Sequence, residues 1–202
     1  MGAAALAFFN SQLRRGVDRC VARQDQTWAQ VAAEHLLAMG RRRIGTITGP
    51  LDMGAGIDRL AGFRDSLGTS FREDCVESGD FTQRGGVDAA QRLLERCPDL
   101  DGLFVASDLM ALGALAALRR AGRQVPQDVA IVGFDDNEFA LTSDPPLTTV
   151  RQAPIVQGRT MVRLYLELNR PDIEVVDEPG IPDLSGRDHL ILPVKLVVRD
   201  SA

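Results

Sequence analysis

Lysine is almost missing from this sequence: of 23 basic residues only Lys195 is a lysine, and the rest are arginines, a bias that reflects GC-rich coding more than chemistry. Basic residues are also outnumbered, 28 acidic to 23, for a formal charge of −5. The summed field therefore repels a phosphate backbone, which excludes a DNA-binding surface within the chain as it stands. Cysteine is sparse, with Cys20, Cys75 and Cys97 odd in number and far apart. No C-x-x-C or Cys/His cluster joins them to His35 or His189, so neither a structural zinc site nor a disulfide framework is expected. No apolar run approaches the roughly 20 residues that span a bilayer. The apolar stretch Gly2 to Phe9 precedes Arg14 and Arg15 instead of following them, the wrong order for a secretory signal. A cytoplasmic protein without membrane contact is expected.

What remains is ordinary for a globular chain: 202 residues, 25% charged and 45% hydrophobic, with 19 glycines and 10 prolines, enough for one large domain or two small lobes. Short apolar runs alternate with amphipathic stretches, and Gly, Pro or Asp stands at the junctions. The pattern predicts strands at Val17–Ala22, Ile44–Thr48, Cys75–Ser78, Gly102–Ala106, Val129–Phe134 and Thr148–Arg151. Helices are expected at Trp28–Met39, Ile57–Leu67, Gly86–Arg96, Asp108–Ala121 and Ile155–Asn169, with Gly40 as a C-cap. Pro171 to Arg187 is proline-rich and aperiodic and reads as a surface excursion, and final strands follow at His189–Leu192 and Val194–Val198. Alternation of this kind implies an α/β fold with a doubly wound parallel sheet whose ligands sit at the carboxyl ends of the strands.

The residues at those strand ends are unusual. Gly49 to Gly56 leads to Arg59, Gly79-Asp80 to Phe81, Ala106 to Ser107 and Asp108, and Gly133-Phe134 to Asp135 and Asp136. A guanidinium, an aromatic ring, a hydroxyl and carboxylates at one edge match a polyol: the guanidinium and carboxylate bond vicinal hydroxyls, and the ring covers the apolar face of a pyranose. Each member also has a plain reading. Arg59 suits a solvated helix surface, Phe81 a core, and Asp135 and Asp136 a turn. One of Ser107 and Asp108 is needed as the N-cap of the next helix, and Asp108 is the expected one. No third carboxylate, Lys or His completes a metal or acid/base site, so no metal, cofactor or catalytic residue is expected.

Several longer segments are more specific. Glu34-His35-Leu36-Leu37-Ala38-Met39-Gly40-Arg41-Arg42-Arg43-Ile44, Arg59-Leu60-Ala61-Gly62-Phe63, Ala106 to Gly113, Val132 to Asp136, Pro145 to Gln152 and Leu192 to Arg199 closely resemble, in order and spacing, the effector-binding domain of the LacI/GalR family. The resemblance covers about Val17 to Ser201. It implies a periplasmic-binding-protein-like sensor that closes on a sugar or related polyol and controls the operator affinity of a helix-turn-helix domain missing from this chain. Position by position, it implies effector contacts from Arg59, Phe81 and Asp135, with Ser107 where Asn is frequent and Gln152 as a further contact. It assigns 24–151 and 192–202 to a nearly complete second lobe, and 1–23 and 152–191 to a remnant of the first. The chain is then expected to be a fragment, a mis-started reading frame or a degenerate paralogue. Arg59 and Asp135 are taken to lie on loops, so their replacement by alanine should abolish the effector response and spare the fold.

The stretch Leu109 to Leu118 is apolar at nine of ten positions, Gly113 excepted, so two faces of that helix need cover. One faces the sheet. The resemblance implies that the other, with Leu109, Leu112 and Ala116, meets the same helix of a second subunit in a homodimer; the alternative is burial within one lobe. Arg41 to Arg43 are expected to stay solvated at a helix C-terminus, and His35 to be a packed helix residue. A nucleotide-binding Rossmann enzyme is suggested by Gly54-Ala55-Gly56, but Arg59 occupies the third fingerprint position, where a large side chain disrupts close packing. A transporter's sugar-binding protein shares the expected fold but needs an export signal.

Overall fold

The computed structural model describes residues 18–169 and 195–202. The first sixteen residues, the excursion at 171–187 and the strand expected at His189–Leu192 lie outside the described residues. The chain divides into two compact units, 1–24 with 153–193, and 25–152 with 194–202. The described part of the first is the start of helix α1 (Asp18–Ala38) and helix α6 (Pro154–Asn169).

In the second unit, β1 (Ile44–Thr48), α2 (Gly54–Leu67), β2 (Val76–Ser78), α3 (Gln83–Arg96), β3 (Gly102–Val105), α4 (Asp108–Arg120), β4 (Ala130–Asp135), α5 (Glu138–Thr142), β5 (Thr148–Arg151) and β6 (Lys195–Val197) follow α1. They form a 6-stranded sheet in the order β2-β1-β3-β4-β5-β6, parallel except for β6, which runs antiparallel to β5. This is the expected α/β parallel sheet with helices on both faces.

One expected strand is absent. Asp18 to Ala22 belongs to α1, which runs without a Gly or Pro through to Ala38. A short apolar run such as Cys20-Val21-Ala22 fits either a strand or one helical turn, and here nothing interrupts the helix that follows. Within α1, Trp28, Ala29, Ala32, Ala33 and Leu36 recur at helical spacing and are buried. Gly40, at φ 82°, closes the helix: Gly40 N–H donates to Leu37 O (2.9 Å) and Arg41 N–H to Leu36 O (3.1 Å).

The central strands are buried on both faces, so their sequences are continuous apolar runs. Alternation sends Phe104 and Phe134 to one side, where they meet Phe63 and Trp28 at ring-centroid distances of 5.3 and 5.9 Å. Ile47, Leu103, Val105 and Ile131 form the other side, packed with Ala89, Leu93, Met110, Ala114 and Leu118 of α3 and α4. These two helices lie very close. A Cβ on Gly113 would stand 2.1 Å from Gln83 O, and one on Gly86 2.2 Å from Met110 O.

Two further expectations fail. Cys75 and Cys97 are joined in a disulfide, Cα to Cα 6.0 Å, although 22 positions separate them. They flank the β2–α3 unit, just before β2 and just after α3, and the return of α3 along the sheet brings its ends together, a proximity that spacing cannot reveal. Arg41 is not simply solvated either: its guanidinium bonds the carbonyl oxygens of Pro126 (2.5 Å) and Gln127 (3.3 Å) and ties the α1–β1 turn to the loop before β4.

Candidate functional site

The parallel strands end along one rim, and the residues singled out by sequence follow them there. Arg59 is not on a loop. It lies in the second turn of α2 and is 7% exposed. Its guanidinium stacks on the Phe134 ring at 3.6 Å, Nε donates to Asp25 Oδ1 at 3.0 Å, and Nη1 donates to the carbonyl of Ala106 at 2.7 Å, just past the end of β3. Pairing with a carboxylate and covering an aromatic face offset the desolvation of the charge. Replacement by alanine would therefore disturb the fold as well as the rim, contrary to the sequence expectation.

Asp135 closes β4 at φ 119°. Its Oδ1 accepts a 2.7 Å hydrogen bond from Gln152 Nε2, and Gln152 stands just past β5 because Asp135 and Arg151 are register partners. Burial pushes the Asp135 carboxyl up to about 7; Arg59 and the Gln152 bond pull it down, and Asp108 and Asp25 push it up. Asp58 is also raised, by burial and then by Asp25. Several carboxylates thus gather round one guanidinium. Among the described residues, no hydrogen bond is made by Nη2 of Arg59 or Oδ2 of Asp135.

The acidic pair divides its work. Asp136, at φ 58°, faces away to Arg199 (2.6 Å) and Arg151, which hold it below the usual carboxylate range although burial pushes the other way. It fastens the loop after β4 to β5 and to the C-terminal segment. Ser107, not Asp108, is the N-cap of α4, accepting from Met110 N–H at 3.2 Å. Asp108 is fully buried and turned toward Thr149 and Asn137, because the loop after β4 offers it better donors than its own helix does.

Phe81 stands at the same rim but apart from this bonded chain, nearer the edge of the sheet. It has φ 63°, and its half-buried ring occupies the space over Gly49, where an added Cβ would meet Cζ at 2.0 Å. Gly49 directly follows β1, so the ring lies at that strand's carboxyl end. Thus Arg59, Ser107, Asp135 and Gln152 cluster at the ends of β3, β4 and β5, and Phe81 flanks them beyond β1. Sequence reasoning missed Asp25, which has no distinguishing neighbour and lies 34 positions from its partner. Among the dimer candidates, Leu109, Leu112 and Ala116 are half-buried along one stripe of α4 whose other positions are largely buried.

A parallel sheet with convergent polar groups at its carboxyl rim defines a ligand-binding α/β domain. The model of the periplasmic binding protein-like domain matches residues 33–202. The HTH-type transcriptional regulator CelR of Thermobifida fusca is 44% identical over 173 residues, 84% of this chain and 48% of that protein. The ribose operon repressor of Escherichia coli K12 is 40% identical over 148 residues, 71% of this chain and 45% of the repressor. Among solved structures, a CelR–cellobiose complex superposes with TM-score 0.77 at 41% identity, covering 89% of this chain and 52% of that one. A lac repressor dimer bound to operator and the anti-inducer ONPF gives 0.76 at 29% identity, covering 88% and 50%. The chain belongs to the periplasmic binding protein-like domain family, in the branch formed by the effector-binding domains of LacI-type regulators. It spans about half the length of the curated relatives it matches. These relatives are regulators, not enzymes, and no helix among the described residues is long and apolar enough to cross a membrane.

Proposed function

We propose that this chain is the effector-sensing part of a cytoplasmic LacI-type transcriptional regulator, which takes a sugar or related polyol and sets the operator affinity of a helix-turn-helix domain. The observation that carries this reading is the Arg59–Asp135–Gln152 cluster at the carboxyl rim. It offers a donor and an acceptor of opposite charge beside a hydroxyl (Ser107), with an aromatic ring (Phe81) at the flank. Vicinal hydroxyls suit that set, since each can donate to the carboxylate and accept from the guanidinium. The 44% identity to CelR, crystallised with cellobiose, makes a β-linked glucose disaccharide the first ligand to try. Ligand would act by binding two conformations of the regulator unequally, and operator affinity would shift by no more than that difference. The stripe Leu109, Leu112 and Ala116 would join two copies across a two-fold axis.

Asp135→Asn is the informative variant. It keeps the shape and the Gln152 bond but removes the charge that accepts ligand hydroxyls. In titration calorimetry with a panel of cellobiose, ribose, maltose and nucleosides, the wild type should bind one of the sugars. Asp135→Asn should bind that sugar at least about tenfold more weakly, the size of a lost charged hydrogen bond. Preference for a nucleoside, or equal affinity of the two proteins, would overturn the assignment.

A further inference from the structure

Asp108 is an expensive residue in an odd place. It is fully buried in the first turn of α4, yet Ser107 does the capping, and its own partners are all uncharged. Oδ1 accepts from the Thr149 hydroxyl at 2.6 Å and Oδ2 from the backbone N–H of Asn137 at 3.0 Å. A buried carboxylate held only by neutral donors is disfavoured against an apolar side chain of similar size, even at the positive end of a helix. Its bond to Thr149 is not needed to join β4 to β5, which pair directly from Val132–Thr148 to Asp135–Arg151.

The loop it grips is unusual too. Asp135 and Asp136 are consecutive non-glycine residues at positive φ, 119° and 58°, a conformation that persists only where the surroundings impose it. Just past this turn the N–H of Asn137 points inward and meets the Asp108 carboxylate. The sheet makes room for it: a Cβ on Gly133 would stand 2.4 Å from Oδ1 of Asp108. At the start of this turn, the last residue of β4 carries the carboxylate that faces Arg59 and Gln152.

We infer that Asp108 is a positioning residue for effector binding: by bonding the Asn137 N–H and the Thr149 hydroxyl it imposes the backbone turn that presents Asp135 to the ligand. This rests on the effector role assigned to Asp135 above. It makes α4 and the loop after β4 one mechanical piece, so the helix that bears the Leu109–Leu112–Ala116 stripe is bonded directly to the ligand-facing loop.

Two variants separate the hydrogen bonds from the charge. Asp108→Asn loses the charge but still accepts from the Asn137 N–H and can donate to Thr149, whereas Asp108→Ala loses everything. In the full chain without ligand, the titration of the Asp135 carboxyl, followed by carbon-13 NMR, should come down in Asp108→Asn only by the loss of the Asp108 charge and stay raised by burial. In Asp108→Ala it should fall to the ordinary carboxylate range as the turn relaxes. Cellobiose affinity at a temperature where both are folded should weaken at least about tenfold in the alanine variant and recover most of that in the asparagine variant. If alanine and asparagine leave Asp135 titrating alike, the inference is wrong. A wild type that ignores cellobiose and every other sugar of the panel counts against the effector reading alone, since the NMR comparison needs no ligand. Should Asp108→Ala fail to fold, Thr149→Val, which removes one anchor, should move the Asp135 titration part of the way, and no movement there would sink the idea.

Discussion

At the scale of single residues, the rim keeps buried carboxyls whose protonation couples to stability. The folded domain holds the Asp135 carboxyl at about 7 against 3.8 for the free group, so between those values it binds more protons than the unfolded chain. Stability therefore declines as pH rises from about 4 toward about 7 and levels off above. Asp108, raised by burial to about 6, adds to the same slope, and Asp136, held low, acts oppositely, stabilising above its unfolded value and losing that as pH falls through its depressed one. Urea unfolding at about pH 5 and about pH 8 should show wild type losing more stability over that interval than Asp135→Asn. Equal losses would mean that Asp135 is not enclosed as described. Ligand hydroxyls donate best to the ionised group, so binding should release protons near neutrality. The sequence pointed to Arg59 and Asp135, but not to Asp25 or to the burial of Arg59, because those depend on a side chain 34 positions away.

At the scale of elements, the β2–α3 unit stands out. It lies at the edge of the sheet, where β2 pairs only with β1, and it carries Phe81 between its two elements. The Cys75–Cys97 disulfide closes it end to end. A loop of this size is constrained in the unfolded state by roughly 3 kcal/mol. Denaturation with and without a thiol reductant should differ by about 2–4 kcal/mol, and Cys97→Ser should lose the sensitivity to reductant. Identical midpoints under the two conditions would refute the bond's role. Most elements were legible from period and punctuation: β1 and β5 have the expected limits, and α2, α3 and α4 differ only at their ends. The expected strand at Val17–Ala22 was not, because three apolar residues in a row fit either structure and only the uninterrupted α1 decides.

At the scale of the whole molecule, the α4 surface becomes the question. α3 covers one side of α4 through the Gly86 and Gly113 contacts, so only the Leu109, Leu112 and Ala116 stripe is left half-buried. Leu112 packs in part against the core of the unit, and the rest of its side chain is exposed on this stripe. Leu112→Asp should turn a dimer into a monomer in light scattering while circular dichroism and ligand affinity per chain stay unchanged. A monomeric wild type, or a dimeric Leu112→Asp, would refute the proposed interface. Asp108 bonds α4 to the turn after β4, and under the proposed function that contact would link this surface to the effector.

The sequence alone determined the alternation of strand and helix, the order of the motifs and the set of polar residues at the strand ends, because these depend on local period and turn chemistry. Tertiary structure alone decided which of those residues meet. It buried Arg59 between Asp25 and Phe134, split Asp135 from Asp136, moved the cap from Asp108 to Ser107 and joined two distant cysteines. Each of these is a contact between groups far apart along the chain, and its energy exists only once the sheet has brought their backbones together.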